Sequence, residues 1–463
     1  MALAVISIVA FAFLIAMEIQ TLVLLALSAR ALGRERRTAE FGRVEDMLRS
    51  VSTPPVSLIV PAYNEAAGIV DSIRSRTLLA YPRFEIVVVN DGSTDDTMDR
   101  LVETFKLRRV DLPFRPELES QQVRAIYQSA LPINLTVVDK ENGGKGDALN
   151  AGINIARYPY VLVTDADMIF EEDSLLRSMR HFVEDRDRTV AVGGNVRPLN
   201  GCHVKNGRVE KTGLPASFVE LTQVVEYQRS FLSSRPGWSA AGGLLLISGA
   251  YGVFRKSALI DAGGFPHGHL GEDFDVTMRL HRSGRDKGTP HRIVYASDAV
   301  VWTEVPSSRA VLKKQRIRWH RGLLQVIGSH WRMLLNPRYG IIGMLAWPAF
   351  VLFEFVAPIV EFLGWFVVPL ALYLGVLNVD VALLLLGITL LLGILNSLGA
   401  LVLDEQFGHF NSPNEAFRLL LAAIIENFGL RQRTVWWRVR ALFWKRSVIE
   451  WGDMERSGVS NLG

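Results

Sequence analysis

The sequence has almost no cysteine and little net charge. Cys202 is the only cysteine among the 463 residues, which excludes an internal disulfide and is compatible with a reducing cytoplasm. The formal charge is only +4, and the basic residues cluster beside apolar segments. Such clusters are typical of contact with anionic lipid, so a lipid bilayer is an expected partner and nucleic acid is not.

Charge is also nearly missing from the N-terminal segment. The first 29 residues carry a single charged side chain, that of Glu18. About 20 apolar residues suffice to cross a bilayer. Basic residues, starting at Arg30, follow the apolar run and do not precede it, which argues against a cleaved signal peptide. We therefore predict a transmembrane helix over residues 1–29 that leads into the cytoplasm.

Two further apolar blocks lie near the C-terminus. Residues 381–403 contain no charge and predict a membrane span, whereas residues 341–376 contain Glu354, Glu361 and three prolines. Charges inside a membrane segment tend to face protein or a water-filled path. The first block is therefore predicted to be a broken element, partly interfacial and partly spanning.

Three spans place the C-terminal segment, residues 404–463, in the cytoplasm. Its stretch 431–446 mixes six basic residues with three tryptophans, a pattern typical of an amphipathic helix on anionic lipid. The apolar stretch 417–430 is the alternative fourth span, although it contains Arg418 and Glu426.

Residues 52–320 alternate short apolar runs with polar loops and helical patterns. This alternation predicts an α/β fold with a mainly parallel sheet and helices on both faces. An Asn-Gly pair within residues 202–213 predicts a β-hairpin. The predicted strands are 56–62, 84–90, 134–139, 160–167, 189–195 and 291–296.

Polar clusters follow several of these strands, where ligands bind in such sheets. "NDGSTDDT" places Asp91 after the second strand, and "ENGGKGDALN" places Lys145 in a glycine-rich loop suited to a pyrophosphate. The spacing of that loop is not the spacing of a P-loop ATPase. Each cluster alone is equally compatible with a simple turn that begins a helix.

The stretch "VLVTDADMIF" ends a buried strand with two neighbouring carboxylates, Asp165 and Asp167. Two carboxylates this close repel each other unless a metal ion, a basic side chain or water lies beside them. Mg²⁺ or Mn²⁺ bridging a nucleotide diphosphate suits such hard oxygen ligands. The neighbouring glycine-lysine loop favours this interpretation over an exposed polar turn.

Two later motifs complete the pattern. "LGEDFD" places Glu272 and Asp273 just before a helix, where a carboxylate is either stabilised by the helix dipole or acts as a general base. "KKQRIRWHRG" places Gln315, Arg318 and Trp319 ahead of the second apolar block. This stretch is either a basic membrane anchor or a site where arginine binds diphosphate and tryptophan stacks on a sugar.

The motifs "PAYNE", "NDGS", "GGKGDALN", "DAD", "GEDFD" and "QRIRW" occur in the order found in processive family-2 glycosyltransferases. Over residues 54–325 the chain resembles bacterial cellulose, hyaluronan, chitin-oligosaccharide and poly-N-acetylglucosamine synthases. The resemblance implies a glycosyltransferase A-type nucleotide-sugar-binding domain, with transmembrane and interfacial helices, in a bacterial inner membrane. It also implies the domain order 1–29 membrane helix, 30–325 cytosolic transferase, 326–403 membrane helices and 404–463 cytosolic segment.

The resemblance assigns roles to single residues. Glu65 and Asp91 would contact uridine, Lys145 the phosphates, Asp165 the nucleotide, and Asp165 with Asp167 the Mg²⁺ or Mn²⁺. In the same comparison Asp273, beside Glu272, would be the catalytic base. The acceptor and diphosphate site would comprise Gln315, Arg318, Trp319, Ser248 and Gly249.

The chain departs from cellulose synthases in several places. Its base motif is Gly-Glu-Asp in place of Thr-Glu-Asp, and no cyclic-dinucleotide domain follows the membrane part. The stretch "EWGDMER" resembles a loop of hyaluronan synthases, which makes Trp451 a candidate gating residue. These departures favour an amino-sugar polymer, with UDP-N-acetylglucosamine as donor, over cellulose.

Three functions follow from these observations. The favoured one is a processive inverting transferase that extends a polysaccharide acceptor and translocates it, with accessory export proteins as possible partners. The alternatives are a transferase that adds one sugar to a polyprenyl phosphate, and a non-catalytic export subunit.

Overall fold

A computed structural model describes residues 2–39, 43–205, 207–405 and 412–443. They form two compact units. The helical unit takes the described residues of Met1–Gly33, Leu214–Gly243 and Pro306–Val448. The sheet unit takes those of Arg34–Gly213 and Leu244–Val305. Residues 214–243, which the sequence assigned to the transferase domain, thus group with the apolar helices.

The sheet unit contains twelve described strands. They are β1 (Val56–Ala62), β2 (Phe84–Asn90), β3 (Leu107–Val110), β4 (Val123–Ser129), β5 (Leu135–Lys140), β6 (Tyr160–Val163), β7 (Ile169–Phe170), β8 (Thr189–Pro198), β9 (His203–Lys205), β10 (Arg208–Lys211), β11 (Gly252–Arg255) and β12 (Arg292–Thr303).

Ten of these strands form one sheet in the order β3-β4-β5-β2-β1-β6-β11-β8-β12-β7. Strands β5, β2, β1 and β6 are parallel neighbours, and β8 is parallel to β12. Strand β11 runs antiparallel between β6 and β8, and β3 and β4 form an antiparallel edge. The prediction of a mainly parallel sheet is confirmed, because its centre is parallel.

The predicted strands agree closely with the observed ones at the centre of the sheet. β1 and β2 have the predicted bounds, whereas β6 ends at Val163, before the two aspartates. The hairpin is formed by β9 and β10, with Asn206 of its turn outside the described residues. Strands β3, β4, β7 and β11 were not predicted, because they are short or carry the half-exposed, polar pattern of an edge.

The helices are α1 (Ala2–Ala39), α2 (Arg43–Arg49), α3 (Ile69–Thr77), α4 (Thr97–Phe105), α5 (Lys145–Ile155), α6 (Ser174–Glu184), α7 (Phe218–Gln228), α8 (Arg235–Ala240), α9 (Lys256–Asp261), α10 (Glu272–Asp286), α11 (Arg309–His330), α12 (Trp347–Phe350), α13 (Ala357–Tyr373), α14 (Val379–Glu405), α15 (Pro413–Ile425) and α16 (Leu430–Phe443).

Three stretches of the described residues are long and apolar enough to cross a membrane. They are Val5–Glu35, Ile342–Tyr373 and Val379–Glu405. The second contains two π-helical segments, Ile342–Ala346 and Val351–Val356, on either side of α12, but it is continuous as a helix, and its division into an interfacial and a spanning part stays a prediction. Helix α15 is only 13 residues long, so it does not supply the alternative fourth span.

Charged side chains in the helical unit are paired with each other. Arg431 of α16 contacts Glu361 of α13 at 3.2 Å, and Arg438 contacts Glu354 at 3.2 Å. Helix α16 also buries Trp437, whereas Trp436 stays about half-exposed. The helix predicted to lie on lipid thus packs partly on protein, because the glutamates of the second apolar block need basic partners.

Helix α5 packs tightly on the parallel strands, and Gly152 makes this possible. A Cβ atom at Gly152 would lie 2.4 Å from Ile59 Cγ2 and 3.1 Å from Val89 Cγ2. Strands β1 and β2 are buried over almost their whole length, so these side chains have little room to move.

We predict that Gly152→Ala lowers the melting temperature of the full chain in detergent. Overpacking of about 1–3 kcal/mol should exceed the roughly 1 kcal/mol by which alanine favours a helix. The matched control is Gly328→Ala, which adds a Cβ to helix α11 where no atom lies within 4 Å. That control should leave the melting temperature unchanged or raise it. A Gly152→Ala protein as stable as the control would contradict the packing argument.

Candidate active site

Four loops meet at one edge of the sheet because their strands are parallel. They follow β1, β2, β5 and β6, whose carboxyl ends lie side by side. The antiparallel β11 begins at the same edge, since Gly252 pairs with Val163. Residues 248–251, just before β11, are therefore brought to the loops that carry the predicted site residues. The parallel topology thus places most of the sequence motifs of this unit together.

The loop after β6 holds Asp165 and Asp167 beside two cations from other segments. Lys145 Nζ lies 2.6 Å from Asp165 Oδ1. Arg76, fully buried on α3, donates to the Asp165 carbonyl oxygen at 2.5 Å. Burial lowers the pKa of Arg76 to about 10, while Asp167 and Asp165 act in the opposite direction. The repulsion between the two carboxylates is therefore offset by protein cations.

Lys145 also contacts the start of α10. Its Nζ lies 3.2 Å from Glu272 Oε1. Burial alone would lower the pKa of Lys145, but the carboxylates of Asp165, Glu272 and Asp273 outweigh it and raise that pKa. Burial raises the pKa of Glu272, although Lys145 opposes the effect. Lys145 therefore stays charged. It connects Asp165, a predicted metal ligand, with the motif that contains the predicted base.

Asp273 is held in a fixed orientation by backbone groups. Its Oδ2 accepts a hydrogen bond from Gly249 N at 2.9 Å, and its Oδ1 accepts one from Phe274 N at 2.8 Å. A Cβ at Gly249 would lie 2.9 Å from Lys145 Nζ and 3.4 Å from Asp273 Oδ2, so this loop lies close to both side chains. Ser248 Oγ accepts from Ala250 N at 3.4 Å within the same loop. The structure therefore brings Ser248 and Gly249 to the predicted base.

Asp91 lies in an internal network. Its carboxylate accepts from Lys140 Nζ at 2.5 Å, from Gly143 N at 3.0 Å and from Gly144 N at 2.8 Å. Lys140 is fully buried and also pairs with Asp147 at 2.5 Å. Asp91 thereby fixes the glycine-rich loop that positions Lys145. Asp91 is fully buried in this network. Its contact with uridine stays a prediction.

The loop after β1 is joined to the loop after β2. Asn64 Oδ1 accepts from Thr94 N at 2.8 Å, and Thr97 Oγ1 accepts from Glu65 N at 2.9 Å. Glu65 is half-buried at this junction. These bonds hold Glu65 at the site edge, and its role toward a nucleotide stays a prediction.

The donor set fits a divalent cation that shares its coordination sphere with phosphate oxygens. Asp165 retains 28% side-chain exposure, and Asp167 follows two residues later. No cluster of three or more His, Cys, Asp or Glu ligands occurs among the described residues. Mg²⁺ commonly binds through one or two carboxylates together with substrate phosphates and water. Asp165 and Asp167 therefore fit such an ion, provided that a diphosphate completes the shell.

In the helical unit, α11 carries the predicted acceptor residues. Gln315 is buried, Arg318 is half-buried and Trp319 is 42% exposed. Within the described part of the chain, Gln315 Oε1 is a buried atom with no hydrogen-bond partner. Trp451, the candidate gating residue, lies outside the described residues.

Trp319 is supported by a residue that the sequence analysis did not select. The Arg316 guanidinium lies over the Trp319 ring, with its Cζ 4.5 Å from the ring centroid. Arg316 also makes a bidentate ion pair with Glu226 of α7, at 2.7 and 2.6 Å. Glu226 and Arg316 together hold one face of Trp319.

Arg76, Lys140 and Asp147 were also missed. Arg76 is one of two arginines in the last turn of α3, and the sequence does not show which of them is buried under the aspartates. Lys140 ends a strand directly before the glycine-rich loop, which is the one signal that could have identified it. Buried residues that support a site through ion pairs can be identified only when the contacts in the folded protein are known.

Two models of glycosyl transferase families match the chain. The model of the glycosyl transferase family 2 matches residues 57–234, and that of the glycosyl transferase family group 2 matches residues 160–395. The second match covers about half of the chain.

Curated relatives include poly-beta-1,6-N-acetyl-D-glucosamine synthases of Staphylococcus aureus and Staphylococcus epidermidis. Each is 30% identical to the chain, over 273 and 272 residues respectively, which is 59% of the chain. The chain spans about half the length of these relatives, since the match covers 55% of each.

Among solved structures, a mannosyltransferase from Pyrobaculum calidifontis, in complex with GDP-Man and Mn²⁺, is similar in fold. Its TM-score is 0.50 at 20% identity, with 91% of this chain and 97% of that chain covered. The fold expectation of a glycosyltransferase A-type domain is thereby confirmed. The family model that matches about half of the chain, together with the second family match, shows that the chain belongs to the family-2 glycosyltransferases.

Proposed function

We propose that the chain is a membrane-embedded, processive, inverting glycosyltransferase that builds a β-linked extracellular polysaccharide from a UDP-sugar. The observation that carries this proposal is the contact of Lys145 with Asp165 and Glu272, beside Asp273, at the carboxyl edge of the sheet. Lys145 and Asp165, which suit binding of a diphosphate, therefore lie next to Asp273, which suits the role of a general base.

The donor class and the location rest on the relatives and on the apolar helices. The similarity to poly-N-acetylglucosamine synthases supports UDP-N-acetylglucosamine as donor and a polysaccharide as acceptor. The apolar helices support residence in the membrane, with the catalytic unit on the cytoplasmic side. Translocation of the polymer, with or without accessory export proteins, belongs to the same proposal.

Asp273 is the proposed general base. Both of its oxygens are oriented by backbone N–H groups, so one of them is presented in a fixed direction to an acceptor hydroxyl. In the proposed step Asp273 takes the hydroxyl proton while the acceptor oxygen forms a bond to the anomeric carbon. The bond from that carbon to the UDP oxygen breaks, and its electron pair leaves with UDP. A single displacement of this kind inverts the anomeric configuration.

Lys145 is the proposed partner of the leaving diphosphate. Its ammonium remains charged, and as the first residue of α5 it stands at a helix N-terminus, where anions are favoured. Asp165 and Asp167 would hold Mg²⁺ or Mn²⁺, which would supply positive charge to the diphosphate. Glu65 and Asp91 are proposed to contact the uridine from the loops after β1 and β2.

Residues of α11 are proposed to serve the acceptor and the diphosphate. Trp319 is half-exposed and braced on one face by Arg316, which suits a platform for a sugar ring. The buried Gln315 Oε1 and the half-buried Arg318 supply an acceptor and a donor of hydrogen bonds. Trp451 remains a proposed gating residue.

We predict that Asp273→Asn abolishes polymer formation while UDP binding is retained. Loss of a general base lowers the rate by about 10²–10⁴-fold. The measurement is incorporation of radiolabelled N-acetylglucosamine from its UDP-sugar by purified chain in nanodiscs with Mn²⁺. Isothermal titration with UDP reports binding separately, and linkage-specific glycosidase digestion identifies the product.

The matched control for this base variant is Asp286→Asn, at the other end of α10 and on the outside of the proposed site. This control should polymerise like the native chain. If Asp273→Asn also polymerises normally, the base assignment is wrong. If the native chain attaches only one sugar, the processive part of the proposal is wrong.

A second prediction concerns Glu226, the carboxylate that holds Arg316 under Trp319. Glu226→Gln should raise the KM for an oligosaccharide acceptor by about 2- to 30-fold, because a cation–π contact contributes roughly 0.5–2 kcal/mol, and it should shorten the products. UDP affinity should not change. The control is Glu220→Gln, on the same helix α7. Equal acceptor KM values for Glu226→Gln and the native chain would contradict the role of the Glu226–Arg316 pair.

A further inference from the structure

Lys145 forms ion pairs with two carboxylates that have different proposed roles. Its Nζ lies 2.6 Å from Asp165, a proposed metal ligand, and 3.2 Å from Glu272 of the base motif. Its side chain is only 12% exposed, so water screens these charges little. The ammonium of Lys145 therefore offsets negative charge both at the proposed metal ligand Asp165 and at Glu272, beside the proposed base.

The ion pair with Asp165 bears directly on metal binding. Mg²⁺ binds carboxylate oxygen at about 2.0–2.1 Å, closer than the ammonium. A divalent ion on the same carboxylate would face the positive charge of Lys145 at short range in a poorly screened site. Lys145 occupies Oδ1 of Asp165, so a divalent ion that used this oxygen would have to displace the ammonium.

Lys145 is able to move, whereas Arg76 is not. The Arg76 guanidinium is fully buried and bonded to Ser72 and to the Asp165 backbone. Lys145, the first residue of α5, carries its ammonium on a long stem with several rotatable bonds. Its ammonium also passes close to Gly249, where a Cβ would lie 2.9 Å away. The ammonium can therefore change partner without movement of the helix.

We propose that Lys145 is an internal counterion that competes with the divalent cation for Asp165. A nucleotide diphosphate offers the ammonium oxygens of its own, which releases Asp165 to the cation. The cation is consequently bound tightly only together with the nucleotide. This inference rests on the proposed function, because it takes Asp165 as a metal ligand and a nucleoside diphosphate as the ligand of Lys145.

The test measures Mn²⁺ binding to the full chain in nanodiscs. Electron paramagnetic resonance monitors the binding, with and without UDP. Lys145→Gln removes the ammonium but keeps a polar side chain of similar length. Without UDP we expect this variant to bind Mn²⁺ at least about tenfold more tightly than the native chain. Lys145→Arg keeps the positive charge and should bind Mn²⁺ like the native chain. With saturating UDP the advantage of Lys145→Gln should disappear.

Two results would overturn the inference. One is a Lys145→Gln protein that binds Mn²⁺ no more tightly than the native chain without UDP, while its melting temperature shows that it is folded. The other is a gain that survives when Asp165→Asn is added, because the cation would then not be bound by Asp165. The readout does not depend on transfer, so the Mn²⁺ pattern and the absence of polymer product can be told apart.

Discussion

The site depends on electrostatic balance at one edge of the sheet. The loop after β6 holds Asp165 and Asp167, the start of α10 places Glu272 and Asp273 beside the same lysine, and carboxylates gathered in this way repel one another. Two cations offset that repulsion: Arg76 lies buried and fixed beneath the aspartate loop, and Lys145 lies between the aspartates and the start of α10. Removal of either cation would leave these carboxylates with less positive charge beside them and so increase their mutual repulsion. The chemistry of the site and the stability of this edge therefore have the same origin.

Support for these groups comes from a second layer of buried polar contacts. Lys140 joins Asp91 to Asp147, and Asp91 in turn binds the backbone of the glycine-rich loop. That loop determines where α5 begins, and hence where Lys145 stands. The helical unit uses the same principle on α11, where Glu226 holds Arg316 and Arg316 supports Trp319. In each unit a residue of the proposed site is thus positioned by an ion pair.

Much of the fold could be predicted from the sequence, and the reasons are physical. The central strands β1 and β2 are buried on both faces, so their apolar runs are continuous and their bounds are sharp. Strand β11 was missed because it is short and pairs with strands remote in sequence, and β4 was missed because it has the half-exposed, polar pattern of a sheet edge. Likewise, motif residues such as Asp165 and Lys145 could be identified, whereas Arg76 and Arg316 could not. Their importance lies in contacts with Asp165 and Glu226, remote in sequence.

The central claim is that Lys145, Asp165 and Asp273 surround one reacting sugar nucleotide. The most direct measurement is a cryo-electron microscopy structure of the chain in nanodiscs with a non-hydrolysable UDP-sugar and Mn²⁺. The account predicts the diphosphate beside Lys145 and Asp165, with the anomeric carbon turned toward Asp273. A nucleotide bound elsewhere, with the ion pair of Lys145 and Asp165 unchanged, would contradict it.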